Sequence, residues 1–247
     1  MSPTPVGLPC QRWGNGSRRV LLVHGLGGCA ATWWRVAEAL ASQDCTVLAP
    51  TLRGHGEAPL TSDYRMSAYC ADLAELGDDW ACVVGQSLGG VLALQLAGRP
   101  GATRSLVLLD PVLVVPDDMF EVVTRAQLRA LDRPTDPAEV QRLNPTWPAG
   151  DVLAAARSAT GTSSWVVTET MSQNRPWHHV QALSELTIPT HIIGADPNRG
   201  AVCSKGLVEP YLTDTVRFVC ADGSSHAVYR DAADLVIATV LGLLDQA

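Results

Sequence analysis

The sequence predicts an α/β architecture, a mostly parallel twisted sheet flanked by helices, with a helical cap inserted between two strands. Three observations carry that expectation. Short apolar runs alternate with longer segments of helical period. One strand-to-helix junction is built as Gly85-Gln86-Ser87-Leu88-Gly89. Residues 112–186 contain helical pieces but no convincing buried strand.

Asn15-Gly16 signals a turn, and so few residues precede the first strong strand that the leading edge of the sheet should be short. The runs at 20–23, 46–49, 82–84, 105–109, 191–193 and 216–219 are apolar on successive residues rather than alternating, as strands covered on both faces must be. Between them, residues 32–42, 67–76, 88–97 and 231–244 carry apolar side chains at helical spacing and supply the crossovers. In the interrupting segment, helices are expected at 118–131, 137–143, 150–159 and 163–171, separated by Pro, Asn and Gly. An insertion of that size is too small for its own core and reads as a cap over one end of the sheet. The predicted organisation is therefore a core of residues 1–111 and 187–247 with a cap or lid of residues 112–186.

Composition narrows the function. A chain of 247 residues with 47% apolar content can bury one sizeable core. A net charge of −7, with no basic cluster longer than Arg18-Arg19, argues against nucleic acid as a partner. No apolar stretch approaches the roughly 20 residues of a membrane span, and the N-terminus does not read as a secretory signal. Seven scattered cysteines, without paired metal-ligand spacing, are expected to be reduced thiols of a cytoplasmic protein. None lies on a sharp turn, so none is expected to be a nucleophile.

Ser87 is the candidate nucleophile. Its G-x-S-x-G setting, strand before and helix after, places a hydroxyl on a tight turn beside the unpaired N–H groups of a helix N-terminus. A hydroxyl needs a base, and a base needs an orienting carboxylate. His226, in a small-residue loop between the last strand and the last helix, can reach the strand ends where Ser87 sits. Asp196, after the penultimate strand, is the first choice for the acid, and Asp110, at the end of the preceding strand, is its rival. The N–H groups of Leu26 and Leu88 are the candidate oxyanion hole. His24 and His55, in glycine-rich loops, are read as structural hydrogen bonders, and His178 and His179 as exposed loop residues.

With Ser87, the His24-Gly25 loop, Asp196 and His226 in this order, the chain resembles the α/β-hydrolase superfamily over nearly its whole length. Arg53-Gly54-His55-Gly56, the Leu-Leu-Asp strand end and Arg230-Asp231 after His226 add to the resemblance. It implies the α/β-hydrolase fold, catalysis at the strand C-termini, no cofactor, no metal and a pocket shaped by the cap. Two departures stand out: Asp196 follows Gly194 by two residues where much of the family has three, and Ser225 replaces a glycine often found before the histidine. A serine nucleophile argues against the relatives that open epoxides or displace halide and suits esterases, lactonases, thioesterases and carbon–carbon bond hydrolases of diketones. A hydrolase-fold receptor or non-hydrolytic enzyme is the competing class. Trp33, Trp34, Trp165 and Trp177 are candidates for a pocket that takes a small hydrophobic substrate. Few basic residues in the cap argue against a polyanionic one, and a monomer or homodimer is expected.

Overall fold

The computed structural model describes residues 3–246, so the outermost ends of the predicted core range lie outside it. Seven strands form one sheet in the order β1-β3-β2-β4-β5-β8-β9: β1 (Cys10–Trp13), β2 (Arg18–Val23), β3 (Cys45–Pro50), β4 (Cys82–Gln86), β5 (Leu106–Leu109), β8 (Thr190–Gly194) and β9 (Val216–Cys220). Every neighbouring pair is parallel except β1 with β3. The short leading edge is thus a four-residue antiparallel strand, which its mixed composition did not announce.

Alternation along each strand divides the core in two. Leu21, Val23, Val83, Leu106, Leu108 and Ile192 face one side, packed with α2 (Met66–Ala74) and α3 (Leu88–Ala97). Val20, Leu22, Val84, Val107, Leu109 and Ile193 face the other, against α1 (Trp34–Ala41) and α10 (Ala233–Leu244). Because both faces are covered, the central strands need apolar residues at every position. That requirement is why they are legible as continuous apolar runs. Helix α3 buries eight of its ten residues, because it packs between the sheet and the neighbouring α2.

Between β5 and β8 the chain forms α4 (Phe120–Arg129), α5 (Pro137–Leu143), α6 (Ala149–Thr160) and α7 (Ser164–Ser172). Their starts follow capping chemistry: Asp136 accepts from the Ala138 N–H with Pro137 in the first turn, and Ser163 accepts from the Val166 N–H. The segment is not wholly helical. Strands β6 (Val114–Val115) and β7 (Trp177–His178) pair antiparallel and clasp its two ends together. Two-residue strands carry no periodic signal, so sequence pattern missed them. Two short helices, α8 (Lys205–Val208) and α9 (Val228–Asp231), complete the chain, and no helix among the described residues is long and apolar enough to cross a membrane.

The loop after β3 is fixed from beneath by a buried ion pair. Arg53 Nε and Nη2 donate to the two carboxylate oxygens of Asp72 on α2, each at 2.6 Å, and Arg53 Nη1 donates to the Asp63 carbonyl. Both side chains are essentially inaccessible. Removing one partner strands a buried charge, whereas replacing both by apolar groups does not. Asp72→Ala is therefore expected to lower unfolding free energy by about 3–5 kcal/mol in urea titrations, and Arg53→Met/Asp72→Leu by clearly less. Equal losses in the single and double variants would contradict this account.

Candidate active site

Ser87 lies at the C-terminal edge of the sheet, between β4 and α3. Its backbone adopts φ 55°, ψ −117°, a left-handed conformation that a residue with a Cβ avoids. The fold holds it there: the Ser87 N–H donates to the Leu109 carbonyl at 3.0 Å, and the Ser87 carbonyl accepts from Gly90 and Val91. The flanking glycines answer to space. A Cβ on Gly85 would strike the Gly89 carbonyl, and one on Gly89 would strike the Val23 carbonyl.

His226 comes from the loop between β9 and α9. Asp231 accepts from the N–H and hydroxyl of Ser225, Arg199 donates to the Gly223 carbonyl at 2.6 Å, and Gln86 Nε2 donates to the His226 carbonyl at 3.1 Å. These contacts set the imidazole against a carboxylate. His226 Nδ1 lies 2.6 Å from Asp110 Oδ2. With Nδ1–H donated to a carboxylate, Nε2 is left as the basic nitrogen.

Asp110 occupies the position for which sequence reasoning preferred Asp196. The Asp110 carboxylate is fully buried beyond β5 and accepts from the backbone N–H groups of Ala195, Val202 and Cys203 as well as from His226. Asp196 points elsewhere. Its oxygens accept from the Asn198 and Gly223 N–H groups at 2.8 Å, which lowers its carboxyl from the usual range, Gly223 contributing most. The reason is local: Pro197 starts a short 3-10 turn, and Asp196 is spent capping it.

The glycine-rich loop after β2 supplies the second wall. Neither the Leu26 nor the Leu88 N–H has an acceptor among the described residues. The loop is fixed by two imidazoles. His55 Nε2 accepts from the Gly27 N–H at 3.1 Å, and His24 Nε2 accepts from the Leu52 N–H at 3.0 Å. Each Nδ1 lies within 3 Å of a carbonyl, Arg53 for His55 and Gly25 for His24, so both rings are neutral and protonated on Nδ1. Burial pushes His24 down to about 3, aided by the neighbouring His55, and His55 down to about 4.

Two cavities meet at Ser87, and Leu26, Gln127 and His226 line both. One, of about 310 Å³, is walled by Val112, Val115, Val123, Met171, Trp177 and Val202. The other, of about 430 Å³, has a mixed wall in which Arg133, Asp151 and Ser158 stand beside Ala154, Tyr229 and Trp147. Of the tryptophans of the sequence reading, Trp177 lines the apolar cavity and Trp147, also in the cap segment, lines the other. Trp33 is buried in the core against Tyr229, Trp34 packs on Gly150 and donates to Asp151, and Trp165 is exposed. Gln86, Gln127 and Arg133 were missed, because a lone polar residue, whether at a strand end, in a helix or in a loop, carries no pattern.

A sequence model of the alpha/beta hydrolase family matches residues 20–239. The chain belongs to the alpha/beta hydrolase family. Among curated relatives of this chain, the lipase LipV of Mycobacterium tuberculosis is 38% identical over 153 residues, covering 60% of this chain and 58% of the lipase. An esterase of the same organism is 37% identical over 106 residues, covering 40% of this chain and 35% of its own. The chain thus spans less than two thirds of the curated relatives it matches. Among solved structures, E-2-(acetamidomethylene)succinate hydrolase superposes with a TM-score of 0.80 at 21% identity over 96% of this chain and 95% of that one. The thioesterase domain of the curacin biosynthetic pathway gives 0.70 at 22% identity over 94% of each chain.

The neutral histidines make folding of this protein acid-sensitive. Their folded values lie below the unfolded value near 6.5, so their contribution is complete above pH 6.5 and is lost as pH falls through about 4 and 3. His179 and His191, lowered by burial, add in the same direction. Unfolding free energy should fall between pH 6.5 and 5, above the ordinary carboxylate range, by roughly 1.4 kcal/mol per pH unit for each fully shifted imidazole. His55→Gln should flatten that slope by about one such share in urea titrations at stepped pH.

Proposed function

We propose that this protein is a serine hydrolase that cleaves a carboxylic ester-type bond, in an ester, lactone or thioester, of a small molecule with a hydrophobic portion. The observation that carries the reading is the 2.6 Å contact between Asp110 and His226 beside a serine on a strained elbow that lines the same cavities. The family match and the lipase and esterase among its relatives support it.

In this scheme His226 Nε2 takes the Ser87 proton as Oγ attacks the substrate carbonyl. The negative oxygen of the tetrahedral intermediate is received by the Leu26 and Leu88 N–H groups. His226 then passes its proton to the departing alcohol or thiol, leaving an acyl-serine. Water, deprotonated by His226, attacks that acyl group, and the collapse of the second intermediate returns Ser87 and a carboxylic acid. Among the described residues Ser87 Oγ makes no side-chain hydrogen bond, which suits a base that engages it when substrate arrives. Asp110 accepts Nδ1–H throughout and keeps the ring oriented. Residues 112–186 act as the cap and contribute most of the apolar cavity wall, through Val112, Val114, Val115, Pro116, Val123, Met171 and Trp177.

Ser87→Ala should lose roughly 10⁴- to 10⁶-fold in kcat on p-nitrophenyl butyrate, and adding His226→Ala should cost little more. Retention of most activity by Ser87→Ala would remove the scheme. The acid is tested separately: Asp110→Asn should lose roughly 10³- to 10⁴-fold in kcat, whereas Asp196→Asn, which can still cap its turn, should stay near wild type. The reverse order would restore Asp196 as the acid.

A further inference from the structure

The second cavity at Ser87 differs from the first in charge. Three guanidinium groups line it, Arg133, Arg199 and Arg230, against one carboxylate, Asp151, whose Oδ1 is engaged by the Trp34 indole N–H. That is a local excess of positive charge in a chain of net charge −7. Two of the three are occupied with protein groups. Arg230 is paired with Asp231 and stacks over Trp147, its guanidinium carbon 4.0 Å from the ring centroid. Arg199 donates to the Gly223 carbonyl.

Arg133 is different. It follows α4 in the insertion and donates Nη2 to the Gly27 carbonyl at 3.0 Å, and its other guanidinium N–H donors have no acceptor among the described residues. The residue keeps accessible surface in the cavity. A guanidinium with free donors beside a reacting carbonyl is suited to a planar carboxylate or a phosphate, which it can grip through two parallel hydrogen bonds. Its bond to Gly27 also places it one residue from the Leu26 N–H.

We propose that Arg133 is a specificity-determining residue that binds an anionic group, carboxylate or phosphate, at one end of the substrate, while the apolar cavity across Ser87 takes the other end. This rests on the hydrolase reading above and refines its substrate class to an ester-type molecule with one apolar and one anionic terminus. The scarcity of basic residues expected for the cap pointed the other way. The charge becomes visible only when Arg133 of the insertion meets Arg199 and Arg230 of the core.

The test uses butanoate esters of equal length whose alcohol portions end in a methyl, a carboxylate or a phosphate. For the wild type, kcat/KM for at least one anionic ester should exceed that for the methyl ester about tenfold, and the better of the two identifies the anion. In Arg133→Gln that preference should fall to within about twofold of parity, and Arg133→Lys should restore part of it. A purely structural role at the oxyanion loop would depress all three esters together and leave their ratio unchanged, which would overturn the proposal. So would a wild-type preference for the methyl ester. A separate binding arm uses Ser87→Ala protein, which needs no turnover: glutarate or inorganic phosphate should bind by calorimetry and bind at least tenfold more weakly to Ser87→Ala/Arg133→Gln. Should the wild type turn over none of the esters, the hydrolase reading fails and the binding arm alone decides the anion site. Equal binding by both proteins there rejects it.

Discussion

Everything near the site depends on a serine held in a left-handed backbone conformation. Such a conformation costs of order 1–3 kcal/mol and persists only where the surroundings over-determine it. Here they do so from three sides. The β5 strand end accepts the Ser87 N–H, the first turn of α3 donates back to its carbonyl, and close packing at Gly85 and Gly89 leaves the junction no room to relax. The near-complete burial of α3 follows from the same demand, since a helix that must leave a strand this sharply has to lie flat on the sheet.

The glycine-rich loop after β2 is governed by a different constraint, the need to keep polar groups paired without introducing charge. Two neutral imidazoles in edge contact, their centroids 5.1 Å apart, accept from backbone N–H groups on two loops. A protonated ring at either place would lose that acceptor and sit as an uncompensated buried charge. Behind them the Arg53–Asp72 pair fixes the loop that carries His55, so rigidity at Gly27 is inherited from a contact with α2 on the far side of the loop. The leading loop N–H at Leu26 remains free because its neighbours are the ones tied down.

Much of this was legible because it is local. The buried strands, the elbow, the late histidine and the capped helices α5 and α7 are each fixed by residues within a few positions of one another, and the chain cannot hide that pattern. The choice between Asp110 and Asp196 was not local. Both follow strands that end on the same edge of the sheet, and spacing along the chain does not reveal which carboxylate faces inward. The decision falls to the three backbone N–H groups that converge on Asp110 and to the turn at Pro197 that engages Asp196. The tryptophans failed for a related reason. A large apolar side chain satisfies a core as well as a pocket, so Trp33 fills one while Trp177 lines the other.

The buried Asp110 carboxylate just beyond β5 also organises the loop after β8. The backbone of that loop wraps the carboxylate: Ala195, Val202 and Cys203 donate to Asp110, while Val202 and Gly200 turn outward as wall of the apolar cavity. Asp196 serves the same loop from its outer side by accepting from Gly223, which ties it to the segment that carries His226. One stretch of backbone thus holds the Asp110 carboxylate, ties down the segment that carries His226 and shapes the space beside Ser87. Displacing the Val202 backbone would loosen the Asp110–His226 contact and reshape the cavity together, so the placing of the imidazole and the shape of the cavity wall are physically inseparable.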